Sequence, residues 1–175
     1  QAFTTTQANA LTGSQLHSFT TTGVNLFSST QVGAFSTNQA QSLTTTQLNA
    51  LSIDSLDAVD LTKISTSQLV GLNTTSIGEL TTTQVSGFST SQVASLTTSQ
   101  FGALSQAEVQ AFTTTQANAL TTAQIRGLTT TAVNMFSSTQ IGALATTQAQ
   151  SLTTTQLNAL SIDSLDAVDV TKINA

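Results

Sequence analysis

Residues 36–59 read STNQAQSL, TTTQLNAL, SIDSLDAV: three blocks of eight, each opening on Ser or Thr and closing on Leu or Val. The same division covers 4–59, pauses at the five residues 60–64 (DLTKI), resumes at Ser65 and runs to Val168. A second five-residue piece, DVTKI at 169–173, then breaks it again. The chain therefore reads as a single repeat array over 1–175, with twenty complete octads of consensus [ST]-T-T-Q-φ-x-[AGS]-[LF], φ being apolar.

Each position in the octad carries its own restriction. Position 8 is Leu, Phe or Val throughout, and position 5 is always apolar. Position 7 is small except at Leu26, Glu79 and Met135. Position 6 accepts Asn, Gly, Asp, His and Arg alike, which marks it as solvent-facing. The predicted inward spine includes Leu11, Phe19, Phe27, Phe35, Leu43, Leu51, Leu72, Phe88, Leu104, Phe112, Leu120, Phe136, Leu152 and Leu160.

Ser or Thr at position 1 with Gln at position 4 is capping-box spacing: the hydroxyl takes the N3 amide while the Gln reaches back to the cap amide. Loss of such a cap costs about 1 kcal/mol. Positions 5 and 8 lie side by side on a helix. One unbroken helix fails, because eight residues rotate about 800° and the apolar pair drifts roughly 80° per octad. The expected fold is all-α, a superhelical repeat solenoid of very short capped helices, kinked at every cap. A Thr-rich β-solenoid is the alternative, favoured by the propensity of the Thr triplets. Strand alternation would pair positions 5 and 7, however, and put the invariant position 8 on the opposite face.

A longer period overlies the octads: residues 1–66 match 110–175 at an offset of 109, with 51 of 66 positions identical. Differences at core-type positions stay apolar, as in Leu16 against Ile125 and Phe19 against Leu128, while His17 is exchanged for Arg126. No octad buries enough to fold alone, so neighbouring repeats must supply the stability.

Composition narrows the function classes. Charged residues make up 6% of the chain, against roughly 25% in an ordinary soluble domain. The absence of Cys removes disulfides, thiolate nucleophiles and thiolate metal sites. A net charge of −5 with three basic residues lacks the footprint for nucleic acid. Apolar runs are too short to span a membrane. The opening QAFTTTQ has neither a basic segment nor an apolar signal core, which suggests a fragment or an export signal located elsewhere.

Two near-identical segments, SIDSLDAVDLTKI at 52–64 and its copy at 161–173, hold most of the acids. Asp54, Asp57 and Asp60, and Asp163, Asp166 and Asp169, recur every three residues and offer hard oxygen ligands for Ca²⁺. Their spacing is not that of a calcium loop, and the simpler reading has Asp54 in a first helical turn, Asp57 in solvent and Asp60 as the next cap. The three residues missing after each segment are expected to make a kink or a lateral contact point. His17 reads as a solvated side chain, and the Phe residues as core filling. Where Gly23 and Ala132 replace Gln, large Leu26 and Met135 at position 7 suggest compensated packing or an apolar contact with another chain.

Strings such as LTTTQLNALS (43–52), LTTSQFGALS (96–105) and FSTSQVASLTTSQFGAL (88–104) resemble the LTTTQVxAL-type tracts of very large, adhesin-like secreted and surface proteins of bacteria. The resemblance implies an extracellular or cell-surface location and a structural or adhesive role. The expected protein is not an enzyme and needs no cofactor. It is a solenoid segment of a filament, sheath or adhesin stalk, a homo-oligomer or polymer of itself. The alternative is a Thr-rich face that binds ice, carbohydrate or another surface glycan.

Overall fold

Helices of four to six residues recur at octad spacing in the computed structural model, which describes residues 3–168 and 170–173. No strand occurs among the described residues. The chain packs as two compact units, Gln1–Gly87 and Phe88–Ala175, and the same local rules operate inside each.

Every octad begins with an extended residue that breaks the preceding helix. Thr44, at φ −74° and ψ 156°, accepts the amide of Gln47 on its side chain, and helix Thr45–Asn49 follows. The Gln47 carboxamide oxygen returns to the Thr44 amide at 2.7 Å, closing the box. Ala145 has no hydroxyl and keeps only the second half, its amide donating to Gln148 Oε1 at 3.0 Å. No described residue has a positive φ, so the chain bends through alternating helical and extended residues without left-handed corners. That explains why glycine has no fixed place in the repeat.

Positions 5 and 8 form the core. Of the predicted spine, Phe27, Phe35, Leu43, Leu72, Phe88, Leu104, Phe112, Leu120, Phe136, Leu152 and Leu160 are buried. Leu11, Phe19 and Leu51 are half-buried instead. For Leu11 and Phe19 the reason is that no described turn of the coil precedes them. Phe rings meet as core neighbours, stacked at 5.5 Å for Phe101 and Phe136, and edge-on at 5.6 Å for Phe27 and Phe35.

Within each unit a helix packs on the third one along: Gly13–His17 on Thr37–Ser42, Ser29–Gly33 on Ile53–Ala58, Thr122–Gly127 on Thr146–Ser151. Position 7 of one helix then meets position 2 of the helix three places before it. A Cβ added to Gly71 would lie 2.3 Å from Thr45 Cγ2, and one at Gly127 would lie 2.9 Å from Thr98 Cγ2. Close approach is thus why position 7 is small.

The turns of the coil are tied together by position 4. Gln47 is buried, and its Nε2 donates to the carbonyls of Leu16 at 2.9 Å and Phe19 at 2.8 Å. Those are positions 5 and 8 of the octad four places earlier, at a helix end, where the position 5 carbonyl also accepts the position 8 amide, as Leu16 does from Phe19 at 3.1 Å. Gln39 repeats the bridge to Ala8 and Leu11, Gln140 to Val109 and Phe112, and Gln156 to Ile125 and Leu128. A single amide therefore caps its own helix with oxygen and the previous turn's helix end with nitrogen.

The five-residue pieces are truncated octads. Lys63 stands where Gln would, and its Nζ donates to Phe35, the position 8 carbonyl four places earlier, at 3.0 Å. Lys172 does the same with Leu144 at 2.9 Å. Buried Leu61 and Ile64 fill the core, and positions 6 to 8 are missing. The first piece is a non-helical turn, whereas the second carries helix Val170–Ile173.

Candidate functional surface

Octads that lack Gln expose how the surface is maintained. Ser55, Ser76 and Ser164 occupy position 4 and cannot reach back to their cap amides. An Asn at position 6 of the octad four coil places earlier does so instead, counting each five-residue piece as one place. Asn25 Oδ1 accepts from the Ser52 amide at 3.0 Å, Asn49 Oδ1 from Asn73 at 2.9 Å, and Asn134 Oδ1 from Ser161 at 3.1 Å. Each Asn also donates Nδ2 to a position 7 carbonyl: Ala50, Gly71 and Ala159 respectively. Position 6 is therefore more than a solvated place where the incoming octad carries Ser in place of Gln.

His17 belongs to the same pattern. It is exposed, yet its Nδ1 lies 3.1 Å from the Ser42 carbonyl, so it holds the end of the neighbouring helix rather than simply facing water. Its counterpart Arg126 lines a groove with Thr147, Gln150 and Ser151, the last being the counterpart of Ser42.

The carboxylates do not form a cation site. Asp54, Asp57, Asp60, Asp163 and Asp166 are exposed, and no group of three or more His, Cys, Asp or Glu among the described residues is placed to hold a metal. Asp169 lies outside the described residues. Helix Ile53–Ala58 ends at extended Val59, so Asp60 is not carried on the face that bears Asp54 and Asp57. Asp60 Oδ1 instead accepts from the Thr62 hydroxyl at 2.6 Å and the Thr62 amide at 3.1 Å, with Lys63 Nζ 3.4 Å from Oδ2. The Thr62 hydroxyl first, then its amide and the Lys63 ammonium, outweigh desolvation and hold this carboxyl below the usual range. Asp60 thus organises the truncated octad as a turn, not as a helix cap.

Compensation around Gly23 involves a different partner from the one its octad suggests. A Cβ at Gly23 would lie 2.9 Å from Phe19 Cδ1. In the second copy Leu128 replaces Phe19 and Ala132 replaces Gly23, so the smaller side chain makes room for the methyl group. Leu26 is 73% exposed, whereas Met135 is half-buried.

The remaining surface is polar and almost uncharged. Position 3 is exposed in all twenty octads and is usually Thr, Ser or Asn. Position 2 is divided, with Thr45 and Thr98 partly covered by the next turn. The paired Thr ranks are therefore not one free face. No helix of the described residues is long and apolar enough to cross a membrane.

These features define an all-α repeat protein, in which short capped helices are joined turn to turn by buried amides. A family described as the ALTTAQ repeat matches residues 77–106, 98–130, 109–146 and 118–154, so that stretch is similar to ALTTAQ repeats. Neither the curated proteins nor the solved structures yield a match.

Proposed function

We propose that the chain is a non-enzymatic structural segment of an extracellular filament, sheath or adhesin stalk, and that it associates with itself. The observation that supports this most is the position 4 amide bridge, which recurs along each unit and ties successive turns of the coil together. Such an array gains stability as repeats are added and has no built-in stop. Its sparsely charged surface offers little electrostatic repulsion between copies. Electron microscopy over a range of concentrations tests the reading. Elongated assemblies that lengthen with concentration are expected, and monodisperse particles at every concentration would overturn it.

A glycan- or ice-binding reading draws on position 3, exposed throughout. Asp54, Ala107, Ala123 and Asp163 interrupt that row, so a structural role has the better support. Thermal hysteresis or glycan-array binding by the chain would reverse this preference.

A further inference from the structure

Arg126 stands in a surface groove between helices Thr122–Gly127 and Thr146–Ser151. Thr147 and Gln150 bring polar groups to it, and Ala123 and Gly127, where the first copy has Ser14 and Ser18, leave it open. The guanidinium is exposed and has no hydrogen bond or ion pair among the described residues. Its counterpart His17 is spent on the Ser42 carbonyl. The other two basic side chains are engaged as well, Lys63 with Phe35 and Asp60, and Lys172 with Leu144. Arg126 is therefore the one side-chain cation whose donors are all unused among the described residues.

A complementary face occurs on helix Ile53–Ala58. Ile53 is 55% exposed, and exposed Asp54 and Asp57 have no ion-pair partner among the described residues. Asp57 follows Asp54 by three residues and Ile53 by four, so the three side chains share one patch of helix surface. They occupy positions 3, 6 and 2, and no octad other than the two SIDSLDAV copies carries an acid or an Ile at any of those places. Asp54 suits a first helical turn. Ile53 and Asp57 serve neither cap nor core, since the cap is Ser52 and the buried apolar pair is Leu56 and Val59.

We infer that copies of this chain associate through these two surfaces, helix Ile53–Ala58 of one copy lying in the Arg126 groove of another with Asp54 and Asp57 on the guanidinium. This rests on the self-associating role proposed above and names its surface. A guanidinium offers five donors in a planar fork that matches carboxylate oxygens, which two acids one helical turn apart supply. Ile53 then covers the small side chains of the groove, and Thr147 and Gln150 meet the remaining carboxylate lone pairs. An acidic glycan offers carboxylates as well, but only the helix accounts for the exposed Ile53. Groove and helix are different surfaces, so each copy has one of each and the contact repeats from copy to copy.

Sedimentation velocity on the 175-residue chain and two charge variants provides the test. Position 6 carries both Arg126 and Asp57 in the array, so exchanging those residue types there should leave helicity and melting unchanged. Arg126→Asp reverses the groove, and Asp57→Arg with Asp166→Arg reverses the helix face in both SIDSLDAV octads. Each variant alone is expected to associate roughly tenfold or more weakly than the parent. The neutral changes Arg126→Gln, and Asp57→Asn with Asp166→Asn, repeat the comparison without adding charge. Mixed, the two reversed variants bring an intact groove to an intact helix face and should recover association. Both stay net negative, so the recovery is not bulk attraction. Variants that assemble as well as the parent, or a mixture no better than its components, would overturn the contact and leave the filament reading standing. Arg126-dependent binding of polygalacturonate, with self-association of Arg126→Asp unchanged, would overturn it in favour of a glycan. A parent that never assembles would remove both readings.

Discussion

Gln47 Nε2 lies 2.9 Å from the carbonyl oxygen of Leu16, thirty-one residues earlier in the chain. The bond joins the start of one short helix to the end of another, and its Oε1 simultaneously holds the Thr44 amide. Helices of five residues are far below the length that is stable alone. Joining their open ends pairwise removes unsatisfied donors and acceptors that would otherwise be buried.

Replacing the amide nitrogen is the sharpest perturbation of that joint. Gln47→Glu preserves the cap but aims a carboxylate at two carbonyls, so a loss of about 2–4 kcal/mol is expected. Gln7→Glu, exposed and with no distant partner among the described residues, should change stability by less than about 0.5 kcal/mol. Urea denaturation of the two variants checks the contrast.

Close packing at position 7 and open space at position 6 predict opposite signs for two glycines, Gly71 and Gly102. Gly71→Ala collides with Thr45 Cγ2 and should cost about 1–3 kcal/mol. Gly102→Ala meets no atom nearer than 3.4 Å at φ −69°. It should stabilise by about 0.4–1 kcal/mol, because the unfolded chain loses freedom. Thermal melting of both variants decides the matter.

The Asn clamp predicts a rescue. Asn134→Ala strands the Ser161 amide and should cost about 1–2 kcal/mol. Adding Ser164→Gln restores an acceptor for that amide from within its own octad and should recover part of the loss. A double-mutant cycle by chemical denaturation reads the coupling, and strict additivity would show that the two amides do not share a task.

Asp60 carries a pH dependence of known sign. Its folded value is lowered, so its contribution is fully present above the unfolded value, about 3.9. It is lost as pH falls through the lower folded value. The Thr62 amide resonance should titrate below that reference, and Asp60→Asn should abolish the titration. Titration at or above the reference would show that the Thr62 bonds do not favour the carboxylate.

Much of this was legible in the octad itself. Thr44 to Gln47 and Leu48 to Leu51 are local spacings, so caps, kinks and the apolar pair follow from near-neighbour rules. The second task of Gln47 was not, because its partners are fixed by how many octads make a turn. One signal pointed to it: fourteen position 4 residues are Gln and one is Glu, although a capping box tolerates either. Lys63 and Lys172 at the same place also ask for a donor there. The role of Asn25 was hidden for the same reason, since its compensation for Ser55 appears only once the coil brings them together. Leu26 looked like part of a trade with Gly23, and only the position of the Phe19 ring shows where that trade lies.

Side-chain amide exchange in a Gln-resolved NMR spectrum tests the bridge most directly. The Nε2 protons of Gln47 should exchange far more slowly than those of Gln7 and show cross-relaxation to the Leu16 and Phe19 backbones. Equal, rapid exchange at both residues, with no such cross-relaxation, would contradict the joining of successive turns through position 4.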